Sequence, residues 1–492
     1  MTRPDPLKLL TIRLPLSPLS ALDRRLLERY PVGGVCLFRG ELTRLEDVLD
    51  LLEQLFDLLG PQTLISMDQE GGSVVRLPQL PTTPGGFALA SADDPELTYQ
   101  VAFLQARALR ATGINVNLAP VLDINNNPKN PVIADRALGL TFEKVIRHAL
   151  PFIKAHQDAG ILAVGKHFPG HGDTAVDSHL SLPILDKSFV ELEQLELKPF
   201  RAAFDIGLEA VMTAHITFPR ISSLPATLSP EILGYLRFEM NFDGLIFTDA
   251  LDMKAVVGED PAWKVALDSL EAGADNLLVL DSSTLEQTLE HFQPTPEQMR
   301  PALERFERTV AKYPFRRPQR EELAELVAAD RSSIAKVARK AVMARGFSGS
   351  LDISVPTVFL VPHDVRGGGA NDSDSLWARL HAAVTGHFTL ATLLEYKPEN
   401  PNLVELETAL EQNETVVFIT AQRTRMLEGH KHIAARLKGH ARAVHANLWN
   451  PFLTLNLPTV YTFGFGEASV GVLIYALEHG EFPGTLELGS YV

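Results

Sequence analysis

Residues 162–179 read LAVGKHFPGHGDTAVDSH. A short apolar run ends in two basic side chains, Lys166 and His167, and is followed at once by Pro169, Gly170 and Gly172, residues that break a helix and favour a loop. This is a strand that delivers polar groups at its C-terminal end. The same pattern recurs along the first 312 residues, where short β-branched or apolar runs at 9–15, 34–38, 63–68, 116–121, 162–166, 210–214, 245–248 and 276–280 alternate with segments of helical period at 42–59, 95–112, 142–159, 190–206 and 262–272. Strand and helix in alternation predict parallel pairing with helical crossovers, and eight such strands fit a (β/α)8 TIM-like barrel.

Read to their C-terminal ends, these runs give Asp68 and Glu70, then Asp123, Lys166 and His167, His215 and Asp249. In a barrel of this kind those ends meet on one face, so residues scattered along the chain are expected to line one pocket. Any one of them alone has a plainer alternative, a satisfied polar group at a strand end; the recurrence argues against it for the set.

Downstream, 314–345 is charged and helical in period, with the look of a linker helix pair. Apolar runs at 353–362, 415–421, 442–448 and 459–465 then predict a second, smaller α/β sandwich domain. The expected division is a catalytic barrel at 1–312, a helical linker at 313–350 and a second domain at 351–492. The glycines at 367–369 lack the Lys-Ser/Thr ending of a phosphate loop and read as a turn.

At 492 residues the chain exceeds what one core organises. It is 45% hydrophobic and 22% charged, as soluble globular proteins are. A net charge of -16, with no basic stripe, argues against nucleic-acid binding. No run approaches the ~20 apolar residues of a membrane span, and charges at Arg3, Asp5, Lys8 and Arg13 interrupt any leader-like segment. The one cysteine, Cys36, lies in an apolar strand and excludes an intrachain disulfide. A cytoplasmic location is expected.

The 14 residues from Lys166 to His179 hold three histidines and two aspartates. His179 follows Asp177 by two positions, close enough for a carboxylate to orient an imidazole that gives and takes a proton; a structural turn is the plain alternative. In FTDALDM, residues 247–253, Asp249 ends an apolar strand and suits a carboxylate nucleophile, whereas Asp252 suits a structural duty. DQEGGS, residues 68–73, offers Asp68 to sugar hydroxyls, and Arg136 in DRALG, residues 135–139, offers a forked donor.

Taken together, KHFPGHGDTAVDSHLSLP, DQEGG, NLAPVLDI, DRALG and FTDALDM resemble, in order, the landmarks of the bacterial β-N-acetylglucosaminidases of glycoside hydrolase family 3, of the peptidoglycan-recycling type. The resemblance covers residues 5–312 and implies Asp249 as nucleophile, His179 as general acid/base and Asp177 as its partner. It implies that Asp68, Arg136, Lys166 and His167 hold the terminal N-acetylglucosamine, with no cofactor and no metal. Where many relatives have Arg after the Gly-Gly pair, this chain has Ser73, so that a charged contact there is either absent or supplied by Arg76, and leaving-group preference is in question. The family also has members with a second domain, which the end of this chain resembles. Hydrolysis of N-acetylglucosaminides from muropeptide or chitin fragments is the expected activity. The competing readings are a metal-dependent hydrolase using His167, His171, Asp173 and His179, a sugar-binding scaffold, and a family 3 β-glucosidase or phosphorylase.

Overall fold

The computed structural model describes residues 5–14, 19–38, 44–175, 182–253, 260–328, 331–363, 365 and 376–488. Its first part is built on nine short parallel strands: β1 Leu10–Ile12, β2 Gly34–Cys36, β3 Leu64–Met67, β4 Val116–Asn117, β5 Leu162–Ala163, β6 Gly165–Phe168, β7 Ala210–Thr213, β8 Leu245–Phe247 and β9 Leu277–Val279. They form a six-stranded sheet in the order β5-β4-β3-β2-β1-β9 and a three-stranded sheet β6-β7-β8. Only Val164 separates β5 from β6, and its N–H donates to the carbonyls of both Asn117 and Ala119. At the other end a parallel bridge joins Phe247 to Asn276. All eight expected strand positions are therefore occupied, in two linked sheets. The strands are buried throughout, as a parallel sheet covered on both faces requires.

Two expectations need correction. Residues 116–121 form a strand over only Val116–Asn117, because Pro120 has no N–H for the ladder; contact resumes as a single bridge from Val121 to Lys166. The helix expected at 190–206 is two, Phe189–Gln194 and Lys198–Asp205, because Pro199 cannot donate back into a continuing turn and starts a new helix instead.

The second part is a mixed six-stranded sheet with β10 Met343–Arg345, β11 Thr357–Pro362, β12 Ala391–Tyr396, β13 Thr415–Thr420, β14 Ala443–Asn447 and β15 Thr459–Tyr461, in the order β10-β15-β14-β13-β11-β12. Only β10 runs antiparallel, on β15. The helices Arg320–Ala328 and Ser332–Ala341 precede it, so the segment at 314–345 is a helix pair whose last three residues join the second sheet. Alternation explains the layering: Val358, Leu360, Val416 and Phe418 pack with the helices Leu403–Gln412 and Glu428–Leu437. Phe359, Val361, Val417 and Ile419 pack on the other face with Leu376–His387 and Glu467–His479. A separate apolar cluster joins the two parts, uniting Phe87, Val132, Ile133 and Ala137 of the first with Tyr461 and Phe463 of the second. No helix among the described residues is long and apolar enough to cross a membrane.

Candidate active site

The C-terminal ends of the strands of the first domain surround a cavity of about 430 Å³, a size suited to small ligands. Asp68, Arg136, Lys166, His167 and Asp249 all line it. Asp177 and His179 lie outside the described residues, as do the glycines at 367–369.

Asp68 and Glu70 follow β3 and point the same way because one residue separates them. The intervening Gln69 points away and organises the loop behind them. Its N–H donates to Asn117 Oδ1 and its carbonyl accepts from Asn117 Nδ2, both at 3.0 Å. Its side-chain Oε1 accepts from the N–H groups of Arg76 at 2.9 Å and Leu77 at 3.1 Å. The loop can turn back this sharply because Gly71, at φ +100°, lies against Thr83 where a Cβ would be 2.5 Å from the Thr83 carbonyl oxygen. Arg76 is thereby returned to Asp68.

The result is a chain of alternating charges. Arg76 Nη2 donates to Asp68 Oδ2 at 2.8 Å, and Lys166 Nζ, 1% exposed, bridges Asp68 Oδ1 at 2.8 Å and Glu70 Oε1 at 2.6 Å. Arg136 grips Glu70 with two bonds, from Nε at 2.8 Å and Nη2 at 2.7 Å, the forked geometry that only a guanidinium supplies. Burial alone would raise both carboxyl pKa values. For Asp68 the Lys166 and Arg76 charges prevail and hold it far below the usual range; for Glu70, Arg136 and Lys166 bring it to about 2. Both acids stay ionised and preorganised as acceptors for hydroxyl groups.

His167 is fixed by Asp123, whose Oδ2 accepts from His167 Nδ1 at 2.7 Å. Asp123 also takes the backbone N–H groups of His167 and His171, which anchors residues 167–171 to the segment that follows β4. Gly172 presses on the same segment, where a Cβ would lie 1.7 Å from the Ile124 carbonyl oxygen. His171 is buried, and burial with the nearby His167 pushes its pKa down to about 4.

Asp249 lies two residues beyond β8 and lines the same cavity. Its Oδ1 accepts from the Ala250 N–H at 2.8 Å. Burial would raise its pKa, but His215, His167, the Ala250 N–H and Lys166 hold it below the ordinary value. His215 is bonded to the same segment: Nε2 donates to the Ala250 carbonyl at 2.9 Å and Nδ1 pairs with the Thr227 hydroxyl at 2.8 Å, and burial keeps its pKa below the usual histidine value. Asp252 serves structure, accepting the Leu280 N–H at 3.1 Å.

Glu70, Asp123 and His215 stand at strand ends in the sequence, yet their partners are set only by folding. Arg13 and Arg423 also line the cavity and were missed. Each follows an apolar strand, so the signal is in the sequence; nothing local brings Arg423 of the second domain to a cavity of the first. Among the described residues no group of three or more His, Cys, Asp and Glu is arranged to hold a metal ion.

A strand-end pocket with an ionised carboxylate facing a clamp for hydroxyls is what a glycoside hydrolase needs. The chain belongs to glycosyl hydrolase family 3, whose N-terminal domain matches residues 8–309. It is 37% identical over 288 residues to a β-hexosaminidase of Alkalilimnicola ehrlichii, covering 57% of this chain and 82% of that one. Its fold is similar to a family 3 β-N-acetylglucosaminidase from Paenibacillus sp. with a TM-score of 0.87 at 29% identity, covering 98% of this chain and 97% of that one. NagZ from Neisseria gonorrhoeae, solved with N-trifluoroacetyl-D-glucosamine, matches with a TM-score of 0.59 at 28% identity over 67% of this chain and 96% of its own.

Proposed function

We propose that this protein is a retaining exo-β-N-acetylglucosaminidase that releases terminal β-linked N-acetylglucosamine from muropeptide fragments or chitin oligosaccharides in the cytoplasm. The observation that carries the reading is the position of Asp249, ionised and in one cavity with Asp68, Arg136, Lys166 and His167. Relatives named β-hexosaminidase and β-N-acetylglucosaminidase support it.

In this reading Asp68, Arg136, Lys166 and His167 bind the sugar's hydroxyl and acyl oxygens and set its anomeric carbon before Asp249. An Asp249 oxygen bonds to that carbon as the glycosidic bond breaks, and the departing oxygen takes a proton from His179, oriented by Asp177. Neutral His179 then removes a proton from water, the water oxygen attacks the anomeric carbon, and the Asp249 ester is released with net retention. An imidazole replaces the second carboxylate usual in retaining enzymes. We assign this chemistry to recycling of cell-wall fragments.

The test is to trap the intermediate with a slow 5-fluoro N-acetylglucosaminyl fluoride and map the adduct by mass spectrometry. An adduct on Asp249, absent in Asp249→Asn, is expected; an inverted product or an adduct elsewhere overturns the mechanism. Faster hydrolysis of N-acetylglucosaminyl-anhydromuramic acid than of chitobiose is expected for a muropeptide enzyme, and sugar 1-phosphate as product would show phosphorolysis instead.

A further inference from the structure

The second domain reaches the active site through one turn. Residues 130–137 lead from β4 to Arg136, and Ala134 within them adopts φ +42°, a left-handed conformation unfavourable for a residue with a Cβ. Such a conformation persists only where its surroundings determine it. On the barrel side Asn130 does this: its Oδ1 accepts the N–H groups of Val132 at 2.8 Å and Ile133 at 2.7 Å, and its Nδ2 donates to the carbonyls of His171 and Gly172.

The other side of the turn is held from the second domain. Trp449, 2% exposed, donates its indole N–H to Asp135 Oδ1 at 2.8 Å. Asp135 is as deeply buried and also takes the Ser73 hydroxyl. Arg423, which follows β13, donates from Nη2 to the Val132 carbonyl at 2.9 Å, the same oxygen that Arg136 Nη1 reaches at 3.2 Å. Arg423 is itself held by its backbone, since Asn450 Nδ2 donates to its carbonyl at 2.7 Å. The apolar cluster of Val132, Ile133, Ala137, Tyr461 and Phe463 seals the junction.

We propose that Trp449 and Arg423 are positioning residues of the second domain that fix the 130–137 turn and so hold the Arg136 guanidinium where the sugar binds. The inference rests on the reading of Arg136 as a sugar contact. It gives the second domain a part in substrate binding with no part in the chemistry. A buried indole N–H on a carboxylate next in sequence to Arg136 is a costly arrangement to leave unsatisfied, and packing alone would be served by phenylalanine.

The experiment is a double-mutant cycle in the full-length protein, with Trp449→Phe, Arg136→Gln and the pair. Readouts are steady-state kinetics on a chromogenic N-acetylglucosaminide and the inhibition constant of N-acetylglucosamine. Trp449→Phe is expected to raise KM and the inhibition constant about tenfold and to change kcat by less than about twofold. In the Arg136→Gln background the same change should add almost nothing, because the orientation it disturbs no longer matters. Additive effects, or a lower melting temperature with unchanged KM, overturn the proposal. Arg423→Gln, which keeps a donor for Val132, should give a smaller rise in KM, and no rise in either second-domain variant also overturns it. If Arg136→Gln alone leaves the inhibition constant unchanged, the sugar-contact reading falls and the inference falls with it.

Discussion

Replacing Glu70 by Gln keeps the shape of the side chain and removes its charge from the middle of the ionic chain. An ordinary glutamate titrates at 4.5, whereas Glu70 titrates at about 2 in the folded protein. That difference is worth roughly 3 kcal/mol, undiluted by solvent because the side chain is 6% exposed. Removing one partner from a buried ion pair costs a similar ~3 to 5 kcal/mol. The sign follows from proton linkage. A carboxylate with a depressed folded pKa stabilises the protein above its unfolded pKa, and that stability is lost as pH falls through the folded value. The gap between the parent and Glu70→Gln is therefore expected to be roughly 3 kcal/mol at pH 7 and to narrow to roughly 1 kcal/mol at pH 3, because Glu70 of the unfolded chain protonates below about 4.5 while that of the folded protein stays largely ionised. Urea unfolding of both proteins across this range, followed by tryptophan fluorescence, measures it. A gap that stays constant with pH would refute the reasoning, since it would mean that lost packing, and not lost charge, sets the cost. KM should rise too, because the amide keeps only one acceptor oxygen for Arg136 and turns a donor towards the other arm of its fork.

Asp249→Asn should lower kcat by ~10⁴-fold or more with an unchanged melting temperature, and residual activity near the parent level would dismiss it as nucleophile. Asn117→Ala strips the backbone of Gln69 of its partners, so ~2 kcal/mol of stability should be lost and KM should rise; a neutral result in urea unfolding and kinetics would contradict that account. His171, at about 4 in the fold against 6.5 unfolded, must be protonated on unfolding at low pH, so stability should decline as pH falls from about 6.5 towards 4. His171→Gln should flatten that decline in the same unfolding series, and an unaltered slope argues against it. Gly172→Ala, whose Cβ would collide with the Ile124 carbonyl, should displace the loop stem and cut kcat, as rate measurements on a chromogenic substrate would show.

The eight strand positions and the polar residues at their ends were legible in the sequence because a parallel strand covered on both faces must be an apolar run, and its end is where polar groups become tolerable. That pattern is local and survives in one dimension. Local chemistry also shortened β4 at Pro120 and broke the helix at Pro199, where the periodicity alone had suggested continuous elements. The bonds of Lys166 to both Asp68 and Glu70, and the setting of Asp249 among His215, His167 and Lys166, depend on distances between residues far apart in the chain. No period or motif encodes such distances. Trp449 and Arg423 show this most plainly. They lie more than 250 residues beyond Lys166 and reach the turn before Arg136 because an apolar cluster docks the second domain on it. The sequence by itself determined the strands, the order of the motifs and the residue types fit for glycoside chemistry. Tertiary structure decided which charges neutralise one another and which domain holds them in place, because burial and pairing are properties of proximity in space.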